Sequence, residues 1–103
     1  MLLPLDGPSL QDSSSVGTVT PVEIKVGGSV LTERKVVTVQ PKDGKLYYYF
    51  VDSTGAAPSA ATMVADGLLI FKSQLMTFEV SEQQKIFVLA VTGTVNFVMV
   101  ERA

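Results

Sequence analysis

The chain contains neither cysteine nor histidine. The absence of cysteine excludes disulfide bonds, thiolate nucleophiles and cysteine metal sites. The absence of histidine removes the commonest general base and the commonest ligand of transition metals. An enzyme would have to use carboxylates or lysines instead. The composition therefore favours a protein that is not an enzyme and that holds no cofactor.

Basic blocks and long hydrophobic runs are also missing. The chain has 8 lysines and arginines against 10 aspartates and glutamates, for a net charge of −2. Without a basic patch, no nucleic-acid partner is expected. No stretch approaches the roughly 20 apolar residues of a membrane helix. Pro4 and Asp6 interrupt the apolar start, so we predict neither a secretory signal peptide nor a membrane partner.

A length of 103 residues, 47% of them hydrophobic, predicts one folded domain. Residues 1–20 contain prolines, glycines and a serine run without a sustained period, which predicts an extended N-terminal arm. Its apolar tip is Leu2, Leu3 and Leu5. Two interpretations of the arm stay open: a frayed terminus, or a segment that docks on a neighbour. The domain proper is then 21–103.

From Pro21 onward, short apolar segments alternate with turn signals. Val22, Ile24 and Val26 alternate with polar residues, as in a half-buried strand. Turn residues recur at roughly ten-residue spacing, which is typical of a sandwich or small barrel. We predict an all-β fold, a small antiparallel β-sandwich or jelly-roll-like barrel with weak helical periodicity throughout. The other predicted strands are 36–40, 46–51, 62–65, 68–71, 75–80, 86–91 and 95–100.

The last two predicted strands are apolar on both faces. Only Asn96 is polar within 95–100, and the segment 86–91 has no polar residue at all. The tight connection at Gly93 predicts that they form an antiparallel hairpin. Because such a pair normally keeps one face wet, the second face requires cover from another sheet, another copy or a larger surface. We therefore expect Phe97 and Met99 at an interface, and no stable monomer.

Four aromatic residues in a row mark the predicted strand 46–51. Tyr47 and Tyr49 share one face of that strand, and Tyr48 and Phe50 share the other. One pair should enter the core, and the other is left for a contact. Tyrosine is enriched at protein interfaces, so a protein contact is favoured over a sugar platform or base stacking.

Ligand-binding patterns are weak. Gly27-Gly28-Ser29 is followed by neither the lysine nor the helix of a phosphate loop. Asp52 and Asp66 lie on separate turns, without the spacing of a calcium loop. Glu79 and Glu82 are the only close glutamates, at the end of a strand. No metal site is predicted, and Arg34 is interpreted either as a solvated residue before a strand or as half of an ion pair across a subunit contact.

The order of these features resembles a known group of proteins. A basic pair leads into an apolar strand that ends in glutamine (34–40), and the aromatic strand, the glycine turn 66–70, the alternating strand 75–80 and the terminal segments 85–95 and 98–103 follow. This succession, from Ile24 to Ala103, resembles small β-rich virion proteins of tailed bacteriophages, which end in a similar hairpin with a small-residue–Gly–Thr–Val turn. Phe97 and Met99 stand where those proteins have acidic or small polar residues.

The resemblance implies a structural function. We expect a capsid decoration (cement) protein, made in the host cytoplasm and located on the capsid surface of the virion. Its expected partners are the major capsid protein or another virion protein and further copies of itself, with a trimer favoured. A tail, head–tail adaptor or baseplate component and a carbohydrate-binding module are the alternatives. The expected interface residues are Leu2, Leu3, Leu5, Arg34, Tyr47, Tyr48, Tyr49, Phe50, Phe97 and Met99.

Overall fold

A computed structural model describes residues 9–25, 31, 34–81 and 83–103 of the chain. It confirms the predicted all-β sandwich. Its elements are β1 (Ser9–Val16), β2 (Val22–Glu23), β3 (Val36–Pro41), β4 (Leu46–Asp52), α1 (Ala60–Asp66), β5 (Leu68–Ile70), β6 (Met76–Phe78), β7 (Gln84–Ala90) and β8 (Val95–Arg102).

Two four-stranded sheets face each other. The first sheet has the order β1-β8-β3-β6, and the second has the order β2-β7-β4-β5. All strand pairs are antiparallel. Alternate residues of both sheets meet between them in an inner core that includes Val37, Val39, Leu46, Ile70, Ile86, Val88, Val95 and Phe97.

The predicted C-terminal hairpin is wrong, because its two strands lie in different sheets. β7 pairs with β2 and β4, whereas β8 pairs with β1 and β3. The connection through Gly93, whose φ is +63°, therefore crosses from the second sheet to the first. β7 and β8 therefore contribute apolar side chains to the inner core from opposite sheets. The two strands of a hairpin lie in the same sheet and could not face each other in this way.

A helix forms where the sequence predicted a strand at 62–65. The side chain of Ser59 accepts a hydrogen bond from the N–H of Thr62 at 3.1 Å and caps the start of α1. At the other end, the N–H of Gly67 donates to the carbonyl of Met63 at 2.8 Å. The β-branched residues of this segment suggested a strand, but the serine cap and the alanines favour a helix.

This helix covers the second face of β7. Phe87 and Leu89 point away from the inner core and pack with Met63 of α1. Tyr47, Tyr49, Val51 and Ala60 pack against these residues and complete an outer cluster. The uninterrupted apolar sequence of β7 is thus buried within one chain. It does not by itself require a second copy.

The segment 1–20, predicted to be an extended N-terminal arm, contains β1. This strand pairs with β8 along its whole length, from Ser9 opposite Arg102 to Val16 opposite Val95. It forms one edge of the first sheet. Its run of three serines shows no alternation of apolar residues, so pattern analysis gave no strand signal there. Leu2, Leu3 and Leu5 lie outside the described residues.

Candidate interaction surface

The aromatic strand β4 divides its side chains between the two faces of the second sheet. Tyr47 and Tyr49 are half-buried in the outer cluster under α1. Tyr48 and Phe50 point the other way, toward Phe78 of β6 in the first sheet. The centroid of the Phe78 ring lies 5.1 Å from that of Tyr48 and 5.6 Å from that of Phe50. These three rings, the aromatic trio, connect the two sheets at one lateral side of the sandwich.

The same lateral side exposes four large apolar side chains, which lie on β4, on β5 and in the turn between β5 and β6. The exposed fractions are 43% for Phe50, 58% for Leu68, 52% for Phe71 and 64% for Leu75. Leu68 lies opposite Tyr48 in the β4–β5 ladder, so its side chain adjoins the trio. Exposed apolar side chains on one side of a folded domain are candidates for an interaction site. We refer to these four residues as the apolar side.

Hydrogen bonds hold the turn that carries Phe71 and Leu75. The N–H of Phe71 donates to Oε1 of Gln74, and the N–H of Gln74 donates to the carbonyl of Phe71, each at 3.0 Å. Ser73 donates its N–H to Pro41 at 2.9 Å, and its carbonyl accepts from the side chain of Gln40 at 3.0 Å. Ser73 also has a φ of +65°, which is uncommon outside glycine. Phe71 and Leu75 of the apolar side are therefore exposed on a turn that is fixed by hydrogen bonds.

Lysines lie beside the apolar side. Lys45 places its Nζ 5.5 Å from the ring centroid of Phe71, within range of a cation–π contact. Lys72, next to Phe71 in the turn, is exposed. The nearby carboxylate of Asp43 accepts hydrogen bonds from the backbone and side chain of Asn96, which together lower the pKa of Asp43. A lowered pKa keeps Asp43 ionised, and its carboxylate also interacts with Lys72, so the rim of the apolar side carries charges of both signs.

The opposite lateral side, formed by β1 and β2, is polar. A groove of about 330 Å³ opens there between the two sheets. Lys25 Nζ lies 3.5 Å from Glu23 Oε1 at its margin. We refer to this region as the polar side; its groove is lined by Asp12, Ser13, Ser14, Val22, Glu23, Lys25 and Met99.

The prediction of Arg34 as an interface residue is wrong. Its side chain is buried and forms an ion pair with Glu101 of β8 in the same chain, with Nη1 and Oε2 3.0 Å apart. The guanidinium also donates to three backbone carbonyls, those of Ile24, Ser81 and Gln84. We call this group the arginine clasp. A guanidinium has enough donors to join segments from both sheets at once, which is the role of Arg34 here.

The prediction that Phe97 and Met99 lie at an interface is also wrong, because both side chains are buried within the chain. Both are buried in the inner core, because odd-numbered residues of β8 point between the sheets. The outward positions of β8 are Asn96, Val98, Val100 and Arg102, none of which is buried.

Of the predicted aromatic residues, Phe50 lies on the apolar side. The three tyrosines pack against α1 or within the trio, so their rings do not form an open platform for a sugar. Sequence reasoning missed Leu68, Phe71 and Leu75. The apolar run 68–71 was visible, but periodicity does not reveal whether such a run lies at the edge or at the centre of a sheet.

Metal ligands do not cluster in the part of the chain that the structure describes, which holds no group of three or more aspartates and glutamates placed for an ion. Asp52, Asp66 and Glu79 are exposed. Among the same residues, no helix has the length and apolar character needed to cross a membrane.

Comparison with known proteins gives no match to a family model, to a curated protein or to a solved structure.

Proposed function

We propose that the chain is a structural protein of a bacteriophage virion, a capsid decoration protein that binds the outer surface of the shell through its apolar side. The observation that carries the docking surface is the exposure of Phe71 and Leu75 on a hydrogen-bonded turn. The resemblance of residues 24–103 to small virion proteins supports the assignment to a phage particle.

The chemistry of the apolar side defines its partner. Aromatic and leucine side chains at the centre favour an apolar depression on the shell protein, since removing apolar surface from water drives most protein–protein association. Lys45 and Lys72 favour acidic residues around that depression, because complementary charges orient the two surfaces. An interface of roughly 800 Å² on each partner is the standard size for a specific complex.

Decoration of this kind stabilises the shell by mass action. A protein that binds the assembled shell and not its separated subunits shifts the equilibrium toward the assembled state. The chain then needs no catalytic group.

The test is incorporation of the double variant Phe71→Ser/Leu75→Ser into virions. Truncation of one hot-spot residue costs about 2 kcal/mol or more of binding free energy. The double variant should therefore bind the shell at least about a hundredfold more weakly. Quantitative mass spectrometry of purified particles measures the resulting loss of occupancy. Val64→Ser is the matched control, because Val64 on α1 is as exposed as Leu68. Unchanged incorporation of a folded double variant would refute the proposed docking surface.

The location of the chain in the particle distinguishes a capsid decoration protein from a tail component. Density for the chain on the capsid surface in an electron-microscopy map supports decoration. Density in rings along the tail or at the baseplate identifies a tail component instead, with the same apolar side as a candidate contact.

A further inference from the structure

The first sheet has an outward surface, the outer face, that contains no charge at its centre. Two outward valines of β8 lie there, and β8 is a central strand between β1 and β3. Directly opposed residues of neighbouring strands point to the same side of a sheet, so the register gives the other members. The outer face consists of Gln11, Ser13, Thr38, Gln40, Val98 and Val100. None of them is buried.

The outward surfaces of the two sheets differ in their cover. On the second sheet, α1 and the outer cluster bury Phe87 and Leu89 of β7. Within residues 9–25, 31, 34–81 and 83–103, no helix or strand packs over the outer face of the first sheet. β8 is therefore apolar in both directions, but only its inward residues are buried. A wet antiparallel face normally carries polar residues, so Val98 and Val100 indicate a surface that is covered by a partner.

The arrangement of the outer face matches the anatomy of a protein interface. Its two valines lie side by side at the centre, and uncharged hydroxyl and amide side chains flank them on β1 and β3. Interfaces have the same order, with few charges at the centre and a polar rim. Because the centre is uncharged, two identical faces do not repel each other.

A two-fold axis makes the outer face complementary to itself. Two sheets that pack face to face keep their strands aligned within about 30°. An axis that lies between the faces and crosses β8 at Met99 places Val98 of one copy against Val100 of the other. The same axis places Thr38 against Gln40 of the second copy, and a hydroxyl and an amide can each donate and accept a hydrogen bond.

The charges at the two ends of β8 fit the same axis. Arg102 is exposed at one end of the strand. At the other end, the backbone and side chain of Asn96 donate to the carboxylate of Asp43 at 2.8 and 2.7 Å. The axis exchanges the two ends, so Arg102 of each copy approaches Asn96 and Asp43 of the other. Opposite charges then fix the orientation of the two copies.

We propose that the chain forms a two-fold dimer in which the outer faces of two copies pack together. The proposal goes beyond the proposed function and does not depend on it, because the apolar side lies at a lateral side of the sandwich. Four strands about 4.8 Å apart and about 25 Å long give roughly 500 Å² on each copy, or about 1,000 Å² in total, at the lower limit for a specific interface. The dimer is therefore weak and dissociates on dilution.

Charges placed at the centre of the outer face test the dimer. One chain carries Val98→Glu/Val100→Glu, and another carries Val98→Lys/Val100→Lys. Each chain alone should be monomeric, because like charges meet across the two-fold axis. An equimolar mixture should form a heterodimer, because opposite charges then meet. Sedimentation velocity at high micromolar concentration measures both results.

Single variants locate the contact. Val98→Glu should raise the dissociation constant at least about tenfold, since each dimer loses two buried valine side chains. Val64→Glu is the matched control, because Val64 is an exposed valine on α1, which packs on the second sheet. This control should dimerise like the unsubstituted chain.

Three results would overturn the proposal in chains whose circular dichroism shows the native fold. The first is a monomeric unsubstituted chain at high micromolar concentration. The second is equal dimerisation of Val98→Glu and Val64→Glu. The third is a mixture of the two double variants that contains no heterodimer. If a double variant does not fold, Val100→Glu mixed with Val100→Lys makes the same comparison.

Discussion

The two lateral sides of the sandwich are built from the same kind of element, short edge strands, yet their chemistry is opposite. β5 and β6 carry no charged residue, and the aromatic trio lies beside them. β1 and β2 carry Asp12 and Glu23, and a polar groove separates them. Charged residues at an edge prevent unwanted pairing with other chains. We therefore expect the polar side to be protected from association and the apolar side to be the one that binds a partner.

The arginine clasp links the ends of both sides, so its loss should have the largest effect. Ile24 follows β2, and Ser81 lies beyond β6, and both carbonyls accept from Arg34. Arg34→Met takes the guanidinium away from the buried Glu101 carboxylate and should lower the free energy of unfolding by about 3–5 kcal/mol. Urea denaturation at neutral pH measures the change.

Two control variants test whether loss of the arginine clasp causes the lower free energy of unfolding. Arg102→Met removes an exposed arginine next to Glu101 and should change stability by no more than about 0.5 kcal/mol. Arg34→Met/Glu101→Leu removes both charges and should recover much of the loss, because a buried pair can be replaced by apolar residues. A loss below about 1 kcal/mol in Arg34→Met would mean that the two sides are stabilised independently of the clasp.

The next largest change in stability is expected at an inward-pointing residue of the apolar side, compared with one of the polar side. Phe78 is packed between Tyr48 and Phe50, so Phe78→Ala should cost about 3 kcal/mol through lost burial and a cavity. Ser14 faces the groove of the polar side, and Ser14→Ala should change stability by no more than about 0.5 kcal/mol. Equal losses in thermal unfolding of the two variants would show that the polar side is packed as tightly as the apolar side.

Local sequence patterns predicted the strands that are bounded by clear turns. The predicted segments 36–40 and 46–51 correspond to β3 and β4, because the turn residues from Pro41 to Gly44 separate two apolar segments. The pairing of β7 and β8 could not be predicted in the same way. A glycine turn between apolar strands is compatible with a hairpin or with a crossing between sheets, and only the choice of partner strands decides between them.

The candidate surface was predictable only in part. Phe50 was expected at a contact because four consecutive aromatic residues cannot all be buried on one face of a strand. Phe71 directly follows β5 and Leu75 directly precedes β6, and the same residues would be buried if β5 and β6 were central strands. Their exposure results from the order of strands in each sheet, which depends on long-range pairing.

A smaller effect is expected when the protection of the polar side is removed. Asp12→Val adds an apolar residue at the open groove and should increase self-association, measured by sedimentation velocity, with little change in thermal stability. Asp12→Asn removes the same charge but keeps a polar side chain, so it is the matched control. Equal association of both variants would assign the protection to the charge of Asp12, and no increase in either variant would mean that the proposed protection by Asp12 is wrong.

The smallest effect concerns Asp43, at the turn near the rim of the apolar side. Hydrogen bonds from the backbone and side chain of Asn96 lower the pKa of Asp43 from its usual 3.8. A carboxylate with a lowered pKa stabilises the fold above the unfolded value, and this contribution is lost as the pH falls through the folded value. Asp43→Asn should therefore lower the melting temperature slightly at pH 7, and the difference from the unsubstituted chain should vanish at a pH well below 3.8. A difference that persists in acid would mean that Asp43 positions Asn96 by shape rather than by charge.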